Sequence, residues 1–414
     1  MTAAERNIAL YPWFRFTQNL LFWQAVWFLY FQNSLSAAEA ILLYAVYDLA
    51  TTILEVPSGW MSDRLGRRIT LISAAVASVV ACLLLALGGT FWVFVAGQVA
   101  LGAAAALTSG TDTALLYESL EEAGQTDRVE AEELRAWRFG FSGLALSAVI
   151  GGAMSLWSFA VPFLASAVAY AVMLVIALRF TEPRHHRDDL AQGGEWARFA
   201  SLKAAFVNPV LIWLLGLAVL MYGFSHIPFV FGQPFIQNAL QSLGLAAEAP
   251  LVSGAVVTAM MLISVLFSLV AEKVRRAIGL AGILLFALGL QIGIIAVLAA
   301  SKSVLAIAVL FLRMVPDSFS TAFILARTQR ELSDDSRATY MSFKSLAARI
   351  LFAASLWLAA GAASDVGLMS HAQMQPILAA YAGVGLIALI ALAVASRFIA
   401  IDPRSSLGPE NPGG

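Results

Sequence analysis

The chain has 414 residues, of which 60% are hydrophobic and 12% charged, and its mean hydropathy is +0.81. Soluble domains average about 45–50% apolar and about 25% charged residues, so this composition fits a chain whose surface faces lipid and excludes an ordinary cytosolic enzyme. A net charge of −1 offers no basic face for nucleic acid, and the lone Cys82 cannot close an internal disulfide. Apolar runs bounded by charge, Gly or Pro fall near 16–33, 38–58, 69–88, 91–116, 139–156, 159–180, 209–232, 251–271, 277–300, 303–326, 343–363 and 375–396. Lipid gives backbone groups no hydrogen-bonding partner, so each continuous run is expected to be a helix. Twelve spans of roughly 20 residues use about 240, which leaves short loops, one linker and two tails but no large soluble domain. With the N-terminus in the cytoplasm, the basic residues collect on that side: Arg6, Arg15, Arg64, Arg67, Arg68, Arg128, Arg135, Arg138, the linker set from Arg179 to Lys203, Lys273, Arg275, Arg276, the set from Arg327 to Arg349, Arg397 and Arg404. Only Lys302 then falls in an outside loop and only Arg313 within a span. This asymmetry predicts a multi-pass protein of a bacterial-type inner membrane with both termini cytoplasmic.

The first run is read as a retained helix rather than a signal peptide, because it is long, carries Gln18, Asn19 and Gln24, and precedes eleven more spans. Trp23, Trp27 and Tyr30 fall on one stripe of it, flanked by Asn19 and Gln24. Such a stripe suits an amphipathic organic solute, and equally suits lipid or another helix. Asp48 lies near the middle of span two. A charge there costs about 2.5–3.5 kcal/mol on insertion scales, so it is either a protonatable coupling group or an aspartate bonded to neighbouring hydroxyls. Glu55, one turn before Pro57, is placed for an inner gate. The next loop reads Gly59-Trp-Met-Ser-Asp63-Arg64-Leu-Gly66-Arg67-Arg68. Asp63 can cap a neighbouring helix, Gly66 permits a tight turn, and the arginines can hold an acid at the end of span four. Glu118 is the first candidate for that acid and Asp112 the second. Asp112 belongs to the polar stretch 108–113, must face protein or water, and is also a candidate for proton coupling.

The pattern G-x-x-x-D-R-x-G-R-R between the second and third spans resembles the signature of the major facilitator superfamily. The resemblance implies two pseudo-symmetric six-helix bundles around a central cavity: an N-terminal bundle at 1–180, a cytoplasmic linker at 181–207, a C-terminal bundle at 208–398 and a tail at 399–414. It also implies that Gly59, Asp63, Arg64, Gly66, Arg67 and Arg68, with Glu118 and Glu55, form a latch on the inner side that opens in each cycle; for Arg68 a topological anchor of positive charge is the other reading. Ser268-Leu-Val-Ala-Glu272-Lys273-Val-Arg275-Arg276 is a worn copy of the loop in the second half, as an internal repeat predicts. Two further family signatures are degraded. Gln98 stands where the span-four pattern has an arginine four residues before Gly102, and Ser147-Ala148 replaces the Gly-Pro of the drug-exporter pattern around Gly143, Gly151 and Gly152. Both departures weaken drug–proton antiport.

The linker begins with a polar stretch in which His185 and His186 are expected to be solvated, and ends with Trp196, Phe199, Leu202 and Phe206 at helical spacing, as for a helix on the inner leaflet. In span seven His226 is ionisable at depth, and Pro228, Gly232 and Pro234 can bend the outer half of the helix. In span ten Arg313 and Asp317 stand four apart, so they can neutralise each other, or line the cavity and hold a substrate anion. Asn19, Trp23, Gln24, Trp27, Arg313 and Asp317 are therefore the substrate-cavity candidates, and Asp48, Asp112 and His226 the proton-coupling ones. No G-x-x-x-x-G-K-[ST] loop and no metal constellation are visible, so the expected protein is a monomeric, cofactor-free transporter and not an enzyme. Proton-coupled export of a small organic solute is the leading expectation. An importer or facilitator of a nutrient or organic anion, and a non-transporting membrane sensor, stand as the alternatives.

Overall fold

The computed structural model describes residues 2–183, 206–332, 334–363 and 369–402, and no β-strand occurs among them. The helices are α1 (Ala3–Gln18), α2 (Trp27–Gln32), α3 (Ala37–Leu65), α4 (Arg67–Leu87), α5 (Phe91–Thr108), α6 (Thr111–Glu122), α7 (Val129–Met154), α8 (Val161–Arg179), α9 (Pro209–Gln241), α10 (Ala249–Ala300), α11 (Ile307–Leu310), α12 (Val315–Ser318), α13 (Thr321–Glu331), α14 (Asp334–Gly361) and α15 (His371–Ala395). Local sequence sets several of the starts. Thr2 with Glu5, Ser36 with Glu39 and Ser370 with Gln373 form capping boxes before α1, α3 and α15. Nine segments among the described residues are long and apolar enough to cross a membrane, which makes this a multi-pass membrane protein. Large apolar side chains such as Val56, Trp157, Leu269 and Ile387 lie on the outside, as a lipid-facing surface requires.

The expected spans differ from the helices in five places, one of them the turn at Ser109 and Gly110 that splits the fourth run between α5 and α6. The first run is not one helix: it extends back to Ala3, breaks after Gln18, passes through a single 3-10 turn at Phe22–Ala25 and resumes at Trp27. The tenth run is likewise interrupted, with Phe311–Met314 in turns between α11 and α12, just before Pro316. By contrast α9 runs unbroken through Pro228, Gly232 and Pro234. Asn238 Nδ2 donates to the Pro234 carbonyl at 2.8 Å and to the Met369 carbonyl at 2.8 Å, which ties the end of α9 to the chain before α15. The eighth and ninth runs join as α10, whose only non-helical residue is Gly279 (φ 77°, ψ 172°). The linker residues from Arg184 to Lys203, His185, His186 and the Trp196–Leu202 stripe among them, lie outside the described residues. Phe206 packs edge-on against Phe343, with centroids 4.7 Å apart.

Residues 2–183 and 206–402 meet chiefly through α7 on α10 and α3 on α14. A Cβ at Gly254 would overlap the Ala148 carbonyl oxygen, so α10 and α7 approach backbone to backbone. Six side-chain hydrogen bonds join the two portions among the described residues. They are made by Thr258 to Ala145, by Gln233 to Phe28 and Gln24, and by Tyr222 (twice) and Arg349 to Asp48. None of them lies between Asp48 and the end of the molecule that carries residues 2 and 402, so the portions are tied at mid-depth and at the opposite end.

Candidate functional site

Asp48 is fully buried on α3 and is bound entirely from the other portion of the chain. Tyr222 Oη of α9 donates to both carboxylate oxygens at 2.8 and 3.0 Å, and Arg349 Nη1 of α14 donates at 3.1 Å. The guanidinium of Arg349 also lies 5.7 Å from the centre of the Tyr222 ring. The charge count had set Arg349 among the cytoplasmic basic residues; the structure corrects this, since a carboxylate in the bundle draws it in. Neither Arg349 nor Tyr222 stood among the sequence candidates. The signal for Arg349 was a basic residue well inside an apolar run, the signature that singled out Arg313.

Asp112 is also paired. Arg15 Nη1 of α1 reaches its Oδ2 at 2.5 Å, with the aspartate side chain 4% exposed. Arg15, expected in the tail, thus belongs to the bundle, and Glu118 rather than Asp112 meets the loop arginines. Arg15 lines a cavity of about 250 Å³ with Gln18, Asn19, Trp23, Tyr47 and Thr108. The aromatic stripe of span one does not form, because the chain breaks between its members. Trp23 faces this cavity and stacks on Phe163. Trp27 is buried and stacks on Phe229 of α9 at 5.3 Å, and Tyr30 donates to the Leu85 carbonyl at 2.8 Å.

In the second portion His226 Nδ1 lies 2.6 Å from the Tyr222 carbonyl oxygen, and its ring packs against Tyr222 and Phe352. His226 and Asp317 line one cavity of about 440 Å³ with Ser225, Ser320 and Lys344. Arg313 and Asp317 do not form an ion pair, because the helix that their spacing presumes is interrupted. Arg313 turns instead to Met260 Sδ at 3.2 Å and to the face of Phe229, and lines a separate cavity with Gln24 and Gln233.

The break in span one frees backbone groups, and Gln233 takes two of them. Its Oε1 accepts from Phe28 N at 3.0 Å and its Nε2 donates to the Gln24 carbonyl at 2.7 Å. One buried amide from α9 thus ties the 3-10 turn to the start of α2. Sequence reasoning missed it, since a glutamine in an apolar helix carries no pattern.

At the end of the molecule that carries the termini, Arg67 gathers the loop. It donates to Ser62 Oγ and Asp63 Oδ1, each at 2.7 Å, and to Glu118 Oε1 at 3.1 Å. Asp63 does not cap α4. Glu182, just past α8, does so, accepting from Arg67 N at 2.6 Å and Arg68 N at 2.8 Å. Gly66 (φ 102°) makes the turn that presents those amides. Arg68 donates to the Leu178 carbonyl at 3.0 Å. Arg64 and Gly59 are exposed. Glu55 is half-buried one turn before Ser58, whose hydroxyl donates to the carbonyls of Glu55 and Ala106.

Comparison with known proteins fits this architecture. A sequence model described as Major Facilitator Superfamily matches residues 9–343. A tetracycline resistance protein, class H, of Pasteurella multocida is 26% identical over 165 residues, which are 38% of this chain and 38% of that protein. The chain thus aligns with well under half the length of that relative. Among solved structures, the nucleoside transporter NupG superposes with a TM-score of 0.75 at 13% identity over 95% of this chain and 99% of that one. A peptide transporter POT in complex with sulfate gives 0.72 at 11% identity over 97% and 95%. At such identities these structures share the fold and leave the cargo open.

Proposed function

The chain belongs to the Major Facilitator Superfamily, and from that premise we propose that it is a proton-coupled secondary transporter that exports a small organic solute by alternating access. The proposal takes the molecule as twelve membrane crossings in two six-helix bundles, residues 1–180 and 208–398. In this reading α10 crosses twice about Gly279, and the interrupted segment from α1 to α2 crosses once. At about 1.5 Å per residue, its 52 residues exceed twice the ~30 Å hydrocarbon thickness. In this reading the basic loops and both termini face the cytoplasm of a bacterial-type inner membrane, and the side tied by Gln233 faces outward. The relative named for tetracycline resistance supports the outward direction.

One observation carries the coupling: Asp48, on the first bundle, is held by Tyr222 and Arg349 of the second. While it is ionised, rocking the bundles apart at this depth leaves a charge without its partner, which opposes the motion. A proton removes that charge. A cargo that makes equivalent contacts offsets its loss. An empty, deprotonated carrier is therefore held in place, and uncoupled cycling is suppressed. The latch of Arg67, Asp63 and Glu118 steadies the first bundle while this happens.

The test is proton movement in sealed inside-out vesicles with an acid interior, as amphipathic cations, neutral drugs and organic anions are added. The wild type is expected to dissipate the gradient with one of these classes, and Asp48→Asn is expected to fail. Equal dissipation by both proteins would remove Asp48 from coupling, and His226 and Asp112 would be tested next.

A further inference from the structure

The cavity beside His226 is walled by three faces of the second portion. Residues 218 to 225 of α9, 317 to 324 of the stretch from α12 to α13, and 341 to 348 of α14 each supply positions i, i+3, i+4 and i+7 of one helical face. Its volume of about 440 Å³ falls within the range of about 300–1,000 Å³ of sites that hold small molecules. Two of the lining side chains, Asp317 and Lys344, carry opposite charges. Neither makes an ion pair or a side-chain hydrogen bond among the described residues, whereas Arg15, Arg67, Arg327 and Arg349 each meet a carboxylate. Arg313, one turn before Asp317, is turned to Met260 and Phe229 instead. Charges are costly inside a membrane unless a partner neutralises them, and here two complementary ones face a single space without meeting.

The rest of the wall narrows the chemistry. The hydroxyls of Thr321 and Ser345 likewise make no hydrogen bond among the described residues. Met221, Ile324 and Met341 add apolar surface, and Tyr222, which holds Asp48, stands in the same wall. A solute with one charge would meet Asp317 or Lys344 and leave the other facing its apolar body. A solute with both charges meets both and adds no net charge to the cavity.

We propose that this cavity binds a small zwitterion, its ammonium group at Asp317, its carboxylate at Lys344 and its short apolar body against Met221, Ile324 and Met341. The proposal deepens the transporter reading by naming the class of its cargo, and rests on that reading for transport though not for binding. Because Tyr222 borders the cavity and also holds Asp48, a bound zwitterion lies beside the contact that joins the two bundles.

The probe is 6-aminohexanoate, whose flexible chain lets its two ends adapt to the separation of Asp317 and Lys344, against hexanoate and hexylamine as counterparts that each lack one charge. Equilibrium binding to the purified full chain is read with radiolabelled 6-aminohexanoate, and the counterparts are read by competition. Saturable binding is expected, with hexanoate and hexylamine weaker by at least about tenfold, the factor that corresponds to one lost charge-assisted hydrogen bond. Asp317→Asn should weaken 6-aminohexanoate by a similar factor while leaving hexanoate no weaker than in the wild type. Lys344→Gln should weaken it likewise while leaving hexylamine no weaker. This crossed pattern is one that a merely structural role would not produce, and either variant carries the test where the other fails to fold. No saturable binding, a singly charged counterpart binding as tightly as the zwitterion, zwitterion binding unchanged in either variant, or an equal loss of all three ligands in a folded variant would overturn the proposal. Gradient-driven exchange in vesicles is read separately. Binding without exchange strikes the transport reading, and exchange driven by another class of solute without zwitterion binding strikes this one.

Discussion

The loops at 59–68 and 268–280 perform the same backbone task with different side chains. Each passes through a glycine with a positive φ, Gly66 at 102° and Gly279 at 77°. Each presents the first amides of the next helix to a carboxylate just beyond the last helix of its portion: Glu182 takes Arg67 N and Arg68 N, and Asp402 takes Leu280 N at 2.7 Å. The chain carrying each carboxylate is also tied down, by Asn7 to Thr181 in the first case and by Arg327 to Ile401 in the second. Only the first loop adds an ion-pair cluster. Arg67 is 13% exposed between Asp63 and Glu118, whereas Arg276 and Glu272 pair on the surface at 78% and 61% exposure. The turn and its cap are thus the shared scaffold, and the buried cluster is the part that distinguishes the first loop from its copy.

Substitutions at matched positions break this comparison most directly. Arg67→Ala removes the guanidinium that pairs with both Asp63 and Glu118 in a mostly buried site, and the loss expected for a broken buried pair is about 3 kcal/mol. Arg276→Ala should cost less than about 1 kcal/mol, the range of exposed pairs. Thermal unfolding of the purified proteins in one detergent tests the difference. Comparable losses would mean that the second loop carries a hidden role and that the contrast is false.

Gly66→Ala and Gly279→Ala sharpen the shared element. Both place a side chain in a backbone region that only glycine visits readily, at a cost of roughly 1–3 kcal/mol. The Gly66 change is expected to be the worse. A Cβ there falls 2.6 Å from the Glu182 carboxylate and expels the cap, while one at Gly279 falls 3.2 Å from Asp402. The order of the two melting temperatures reads this directly.

The comparison also shows what could be read from the sequence. Asp63, Gly66, Arg67 and Glu118 stood in a compact pattern, and local spacing brought them to one place. Glu182 lies 114 residues from Arg68 in sequence, so no local signal tied it to the loop, and Asp63 was given its task. The worn copy was legible in composition yet aligned one turn early, because Arg275 and Arg276 end a helix rather than begin one; the glycine that marks the turn comes three residues later. The helices themselves were legible because lipid forces continuous apolar runs. The interruptions near Asn19 and Arg313 were not, since their freed backbone groups are satisfied by distant side chains such as Gln233. For the same reason the arginine partners of Asp48 and Asp112 were not legible, and Arg349 and Arg15 were counted as loop and tail charges.

The smallest expected effect isolates the cap from the cluster. Glu182→Gln keeps the size of the side chain but replaces one of its two acceptor oxygens with a donor and removes the negative charge from the N-terminus of α4. Caps and helix-terminal charges each contribute about 0.5–1 kcal/mol. Asp402→Asn disturbs one amide rather than two, so its effect should be the lesser. Hydrogen exchange resolves such small terms: the amides of Arg67 and Arg68 should exchange several-fold faster in Glu182→Gln, and that of Leu280 faster in Asp402→Asn, with each variant leaving the other loop unchanged. Coupled acceleration of both loops by either variant would show instead that the two caps open together, and the two loops would then be parts of one moving unit rather than independent copies of one device.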